Sequence, residues 1–156
     1  MSHEDLVLFG RVGLAFVLSF AVGFERALRG APAGDRTFAL VGTAAAAVSA
    51  VTVGPAPQAL GGVVTGVGFI GAGLVLRGDR GVLRGMTSAA AIFAATGIGV
   101  VAGTGHAWLA VFVTGLAILD LELRYMPGLN RLDAHRYASR MADDPDDDPS
   151  GDGVHP

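Results

Sequence analysis

Two residue types are missing from this chain of 156 residues, and each absence narrows the kind of protein it can be. Without any cysteine, the chain has no disulfide framework, no thiolate metal site and no cysteine nucleophile. Lysine is also missing, so that all eleven basic residues are arginine. We interpret this bias as the mark of a GC-rich genome rather than of arginine-specific chemistry.

The most informative absence is that of ionic side chains from two long runs. Asp, Glu, Lys and Arg do not occur between residues 37 and 76, a run of 40, or between residues 85 and 119, a run of 35. Helices of soluble domains carry charges every few positions. One helix of 40 residues would be about 60 Å long, roughly twice the thickness of a bilayer's hydrocarbon core. Each run therefore predicts a membrane hairpin of two helices. The segments are expected to be helical because lipid offers no hydrogen bonds, so that the backbone groups must pair with each other.

Turn-forming residues divide both runs. The segments Gly54–Gln58 and Gly103–His106 fall near the middle of each, which predicts helices over 37–53, 59–76, 86–102 and 107–123. An earlier apolar stretch, 6–24, is interrupted only by Arg11. The residues before it are acidic and no convincing cleavage site follows it, which indicates a retained helix rather than a signal peptide. The predicted fold class is all-α, a polytopic transmembrane bundle of about five helices.

The predicted organisation is one membrane domain followed by a short polar end. The membrane domain covers residues 1–126. Residues 127–141 alternate apolar side chains with arginine and could form a short interfacial helix. Residues 142–156 are rich in Asp, Pro and Gly and predict a disordered acidic tail.

The arginines predict an orientation. Ten of the eleven fall at 25–36, at 77–84 and after residue 123, which are alternate ends of the predicted helices. Positive residues favour the cytoplasmic side, so these segments and the C-terminus are expected in the cytoplasm and the N-terminus outside. The exception, Arg11, is expected to extend its side chain to the membrane surface. The expected location is a bacterial plasma membrane, crossed several times.

Charge and motifs exclude several classes of function. The formal net charge is −3, yet the last 16 residues hold six Asp, so residues 1–140 carry +3. No basic patch interleaved with aromatics predicts nucleic-acid binding. Signatures of metalloproteases, hydrolases, phosphate loops and dinucleotide sites are missing, and the four histidines are scattered. We expect no enzyme activity, no catalytic residue and no cofactor, and a metal site is left unassigned.

Glycine is unusually abundant, with 24 residues, and is concentrated in the third predicted helix. Gly62 and Gly66 form a small-xxx-small pair, and further glycines lie on other sides of the same helix. Such glycines let neighbouring helices approach closely, so this helix is predicted to be the buried centre of the bundle. The alternative is that they leave carbonyl groups open to an ion. The predicted helix-packing residues are Gly62, Gly66, Gly68, Gly71, Gly73, Gly99 and Gly103.

Charged and hydroxyl side chains at helix ends are the candidates for ion or partner binding. Glu25 precedes Arg29 by four residues, the favourable order for a helical ion pair. Asp35 is suited to cap the second helix, as Thr87 and Ser88 are to open the fourth. Simple anchoring or capping is the alternative role. The candidates are Glu25, Arg26, Asp35, Arg36, Thr37 and Thr87.

Three of these segments resemble motifs of the MgtC/SapB membrane proteins. Residues 23–26 (GFER) and 33–41 (AGDRTFALV) resemble a G-x-E-R…A-G-L-R-T-x-x-L-V signature, with Asp35 in place of Leu. Residues 66–73 (GVGFIGAG) resemble a G-I-G-F-L-G-A-G helix, and residues 84–90 (RGMTSAA) an R-G-L-[TN]-T-A-A element. The resemblance covers most of residues 10–120 and is to the transmembrane domain, without the soluble C-terminal domain that family members often carry.

The resemblance implies a bacterial inner-membrane protein linked to growth at low magnesium. It also implies action on other membrane machinery, such as the ATP synthase, rather than plain magnesium transport. The leading hypothesis is therefore a non-enzymatic protein of magnesium or ion homeostasis that acts by helix–helix contact with itself or with another membrane protein. The alternative is a small divalent-cation transporter or channel that uses Glu25, Asp35 and carbonyl groups of the third helix, because hard cations prefer oxygen ligands.

Overall fold

The computed structural model describes residues 2–75 and 85–123, and within them it contains five α-helices and no strand. The helices are α1 (His3–Leu28), α2 (Asp35–Thr52), α3 (Ala59–Val75), α4 (Met86–Gly103) and α5 (Ala107–Leu123). The predicted all-α class is confirmed, and the predicted helix bounds agree to within a few residues. The predicted interfacial helix at 127–141 and the acidic tail at 142–156 lie outside the described residues.

Local signals explain where the helices begin. Ser2 and Asp5 form a capping box at the start of α1: the Ser2 hydroxyl accepts from the Asp5 N–H at 3.1 Å, and the Asp5 carboxylate accepts from the Ser2 N–H at 2.7 Å. The N-cap of α2 is Gly34, not Asp35 as predicted. The Asp35 carboxylate instead accepts from the N–H of Arg36 at 2.8 Å, so it still satisfies one first-turn donor.

Of the three described glycines in the left-handed region, Gly30, Gly85 and Gly105, the last two lie in turns that flank α4. Gly85, with φ of 94°, precedes α4, so that helix begins at Met86 without a side-chain cap, rather than being opened by Thr87 and Ser88. Gly105, with φ of 93°, lies in the turn between α4 and α5. An L side chain rarely adopts such values, which explains why glycine stands at both turns.

The chain divides into two units, residues 1–119 and residues 120–156. In the first, α1, α2 and α4 pack against one another, and α3 packs on α4 and to a smaller extent on α2. Of the second, the structure describes only the end of α5. The buried side chains of the α1–α2–α4 core are mostly small: Ala15, Ser19, Ala39, Ala45, Ala46, Ser49, Ala91, Ala95 and Ala102.

Most large apolar side chains of the described residues lie on the outside of this core, and the largest that are fully buried are Phe38, Ile92 and Ile98. Trp108 is 87% exposed and Phe69 is 84% exposed, and many other phenylalanine, leucine and valine side chains are exposed as well. Soluble monomers rarely present so much apolar surface, whereas membrane helices pack through small residues and turn large ones to lipid. Two helices, α1 and α4, are long and apolar enough to cross a membrane, and α3 is a shorter apolar helix.

The prediction that the third helix is the buried centre is wrong for this chain. Val67 is its one buried residue among those described. A Cβ atom built on Gly62, Gly66, Gly68 or Gly73 meets nothing within 4 Å, and one built on Gly71 meets the Ala89 side chain at 3.6 Å. The centre is taken by α2 and α4 because their small residues match each other and allow the closest approach.

Candidate functional site

The end of α1 carries a buried carboxylate between two arginines. Glu25 is only 7% exposed. Its Oε2 lies 3.5 Å from Nη1 of Arg26, and its Oε1 lies 3.6 Å from Nε of Arg29, which confirms the predicted i,i+4 pair. Both distances exceed those of good hydrogen bonds. The two arginines offset the negative charge of the carboxylate without forming hydrogen bonds to it. Among the described residues, neither carboxylate oxygen has a hydrogen-bond partner, and the buried Nε of Arg26 has none either.

A close approach of two backbones holds this carboxylate near the start of α2. A Cβ on Gly23 would lie 2.7 Å from both Asp35 Cα and Phe38 Cβ, so any side chain there would force the helices apart. One turn further on, a Cβ on Gly34 would lie 3.4 Å from the Ala27 side chain. The short link between α1 and α2 thus brings the segment around Glu25 against the segment around Asp35.

The other predicted site residues lie in the first turns of two helices. Asp35 is half-buried, and Arg36 and Thr37 are exposed at the start of α2. Thr87 is exposed in the first turn of α4, and no hydrogen bond or ion pair of the described residues joins it to Glu25. The structure therefore brings together Glu25, Arg26, Asp35 and Arg36 at one end of the α1–α2 pair, and Thr87 is not linked to them.

A divalent cation would find few free ligands at this end. Among residues 2–75 and 85–123, no group of three or more His, Asp or Glu side chains is placed to hold a metal ion. Glu25 already faces two guanidinium groups, which compete with a cation for its charge. The α3 carbonyls lie on a helix that packs mainly on α4, whereas Glu25 belongs to α1.

The tightest packing in the described residues is the α2–α4 crossing. A Cβ on Gly99 would collide with the carbonyl oxygen of Gly42 and would lie 3.0 Å from Ala45 Cβ. A Cβ on Gly103 would collide with the Ser49 hydroxyl and the Ala46 carbonyl oxygen. These contacts place both predicted packing residues of α4 directly against α2.

Ser49 adds a polar link to the same crossing. Its hydroxyl is within reach of two carbonyl oxygens, Ala46 at 3.1 Å on its own helix and Val100 at 3.2 Å on α4. Gly42 is enclosed as well, because a Cβ there would collide with the Ser19 hydroxyl of α1. The Ser19 Oγ is buried without a hydrogen-bond partner. Sequence reasoning missed Ser19, Gly42 and Ser49, although the small-residue spacing of 19–23 and 42–46 carries the signal.

Arg11 has a role that was not predicted. Its Nη1 donates to the carbonyl oxygen of Gly103 at 3.4 Å, at the end of α4. Its guanidinium also packs on the α4–α5 turn, since a Cβ on Gly105 would lie 2.9 Å from Nη2. A cation at the C-terminus of a helix is favourable because it satisfies terminal carbonyl groups. Arg11 therefore caps a neighbouring helix, while its position relative to the membrane surface stays a prediction.

Comparison with known proteins identifies a family and several relatives of this chain. The family model described as the MgtC family matches residues 12–126. An uncharacterised protein of Haemophilus influenzae is 31% identical over 134 residues, which cover 77% of this chain and 56% of that protein. The "Putative magnesium transporter YhiD" of Escherichia coli is 36% identical over 126 residues, covering 72% of this chain and 58% of its own length.

A third relative matches over fewer residues and at a higher identity. Protein MgtC of Salmonella typhimurium is 41% identical over 96 residues, which cover 59% of this chain and 41% of that protein. The chain thus spans about half the length of the curated relatives it matches. No solved structure matches it. Because the family model covers most of the chain, from the middle of α1 to beyond the end of α5, the chain belongs to the MgtC family.

Proposed function

We propose that this chain is a non-enzymatic inner-membrane protein of magnesium or ion homeostasis, which acts by contacting another membrane protein or further copies of itself through its helices. Membership of the MgtC family supports the general role. The name of the Escherichia coli relative supports the link to magnesium. In this proposal the five helices all cross the membrane, and the end that carries Glu25 and Arg36 faces the cytoplasm.

The observation that carries the contact hypothesis is the open glycine face of α3. Gly62, Gly66 and Gly73 share one side of α3 and have no neighbour within 4 Å of a built Cβ, although α3 is otherwise apolar. Gly68 is open as well, on another side of the helix. A glycine on an outer helix face gains nothing from lipid, but it lets a second helix approach its backbone closely. Close helix packing at glycine, which occurs inside the chain between α2 and α4, is thus available on α3 for a partner helix.

The direct test is a leucine on this face. Gly66→Leu places a bulky side chain where the chain itself has open space, so the fold is expected to survive while the partner helix is displaced. The matched control is Gly13→Leu on α1, where a built Cβ likewise meets nothing within 4 Å. We expect size measurements in mild detergent, and pull-downs from native membranes, to show loss of assembly for the first variant alone. Unchanged assembly and an unchanged set of co-purified proteins would contradict the proposal.

A second candidate function is transport of a divalent cation, and one observation favours it. The Glu25 carboxylate is buried with neither oxygen hydrogen-bonded, and an ionisable group in such a position on a membrane helix is a functional candidate. The test is cation flux into proteoliposomes containing the full chain. Flux that is lost in Glu25→Gln and kept in Glu4→Gln, an exposed acid at the other end of α1, supports transport. No flux for magnesium, manganese or calcium removes this candidate.

A further inference from the structure

An apolar groove runs along the outer surface between α1 and α2. Phe16 and Phe20 line it from α1, and Arg36, Ala39 and Leu40 line it from α2. Its volume is about 280 Å³, and it is open along one side. Compact ligand sites have volumes of roughly 300–1,000 Å³ and enclose most of the ligand. A groove that is smaller and open fits a single extended chain better than a compact molecule.

The walls of the groove suit a hydrocarbon chain. Phe16, Phe20 and Phe24 stack along one stripe of α1, with successive ring centroids 6.1 Å apart. Ala39 is buried at the floor, and its small side chain creates the depression, while Leu40, 71% exposed, forms the rim on α2. No polar atom faces the groove, so the part of Arg36 that lines it is the aliphatic stem.

Arg36 supplies an uncompensated charge at the end of this groove. Arg26 and Arg29 both contact Glu25, whereas the Arg36 side chain has no ion pair or hydrogen bond with any of the described residues. The nearby Asp35 carboxylate is turned to the backbone N–H of Arg36 rather than to its guanidinium. Arg36 is exposed in the first turn of α2, level with the point where Gly23 meets Asp35, and the groove extends from there toward the middle of α1.

A guanidinium without an ion pair among the described residues, beside an apolar groove, is suited to bind a molecule that has both a phosphate and a hydrocarbon chain. The planar fork of arginine binds phosphate oxygens in pairs, and its stem lies along apolar surface while the charge stays at the membrane surface. We propose that the α1–α2 groove binds one acyl chain of an anionic phospholipid, with the lipid phosphate on Arg36. Phosphatidylglycerol is preferred to a zwitterionic lipid because its headgroup has no ammonium group to compete with Arg36 for the phosphate.

The test compares two lipids on the full chain. The protein is reconstituted in bilayers, and the fraction of spin-labelled phosphatidylglycerol held at its surface is compared with that of spin-labelled phosphatidylcholine. We expect the wild type to prefer phosphatidylglycerol on the order of fivefold, the usual effect of one basic side chain near a membrane surface. Arg36→Gln should remove the preference, and Arg36→Lys should keep part of it, since the charge remains but the fork is lost.

Further variants and a soluble competitor distinguish binding in the groove from general electrostatic attraction of anionic lipid. Phe20→Ala removes one wall and should reduce retention of both lipids, whereas Phe112→Ala, an exposed phenylalanine of α5, should not. Soluble glycerol phosphate should not compete, because it lacks the chain. Equal retention of the two lipids by the wild type, an unchanged preference in Arg36→Gln, or displacement by glycerol phosphate would overturn the proposal. So would loss of self-association in Arg36→Gln, which would make the groove a contact between protein chains.

Discussion

Glycine has opposite surroundings in two regions of this molecule. At the α2–α4 crossing, Gly99 and Gly103 lie so close to the facing backbone that a single methyl group would collide with it. Along α3, Gly62, Gly66, Gly68 and Gly73 face open space. The two regions look alike in the sequence, because both have small residues at helical spacing. A glycine stripe therefore indicates that a helix can pack closely, while the position of a matching stripe on another helix determines its partner.

The comparison also explains why the core contains so few large side chains. Helices that meet through glycine, alanine and serine bring their backbones together, and the contact energy comes from dispersion and from short polar links such as Ser49 to the Val100 carbonyl. Most large apolar side chains, such as Phe69 and Trp108, then lie on the outer surface. A soluble helical bundle has the reverse arrangement.

The largest effect is expected at the crossing. Gly99→Ala places a Cβ against the Gly42 carbonyl and the Ala45 side chain, so α2 and α4 must separate, at a cost of about 2 kcal/mol or more. Gly97→Ala on the same helix is the control, because nothing lies within 4 Å of a Cβ there. Unfolding in mixed detergents, followed by circular dichroism, measures both. Equal stability of the two variants would show that α2 and α4 do not meet at Gly99.

The next effect concerns the buried carboxylate. Glu25→Gln leaves the half-buried Arg26 without its counter-charge, and we expect a loss of about 2 kcal/mol, between the values for exposed and fully buried pairs. Glu4→Gln, which changes an exposed acid, should alter the unfolding free energy by much less. If Glu25→Gln were neutral, the contacts of the Glu25 carboxylate with Arg26 and Arg29 would contribute no net stability, contrary to its buried position between them.

A smaller effect is expected at the α4–α5 turn. Gly105→Ala imposes a left-handed conformation on an L residue, at roughly 1 kcal/mol, and also pushes on the Arg11 guanidinium. Gly30→Ala separates the two causes, since Gly30 has φ of 66° with open space around it. We expect Gly105→Ala to lose more stability than Gly30→Ala. Combining Gly105→Ala with Arg11→Ala should remove the excess, and an excess that persists would mean that Arg11 does not contact the turn.

The smallest effect is expected on α3. Gly66→Ala adds a methyl group in open space, so the stability of the single chain should change by less than about 1 kcal/mol in either direction. The same unfolding assay measures it at a detergent dilution where the chain is monomeric. A loss as large as that of Gly99→Ala would mean that α3 is enclosed within the chain, and the contrast between the two glycine regions would disappear.

Much of the fold could be predicted from the sequence because its signals are local. Two runs without ionic side chains, each interrupted by glycine or proline, predict four helices whose observed bounds differ by a few residues. The ion pair between Glu25 and Arg29 follows from helical spacing. The extension of α1 to His3 and Leu28 was not foreseen, since a capping box at Ser2 and a charged last turn lie outside the apolar pattern.

The tertiary arrangement could not be predicted from the sequence in the same way. The count of glycines favoured α3 as the centre, but a close crossing requires complementary small residues on two helices, and Gly42 with Ala46 and Ser49 provides the better match to α4. The Arg11 contact with the end of α4 joins residues 92 positions apart and has no local signal. The α1–α2 groove likewise depends on how two helices cross.

The most direct test of the account is a cross-link between α3 and α4 in the membrane. The chain has no cysteine, so introduced pairs are unambiguous. A Cβ on Gly71 lies 3.6 Å from Ala89 Cβ, within the roughly 3.5–4.5 Å of a disulfide, so Gly71→Cys with Ala89→Cys should oxidise to an intramolecular bond. Gly66→Cys with Ala89→Cys should not. An intramolecular bond in the second pair, or none in the first, would contradict a peripheral α3 that packs on α4 through the side of Gly71 and leaves Gly66 outside.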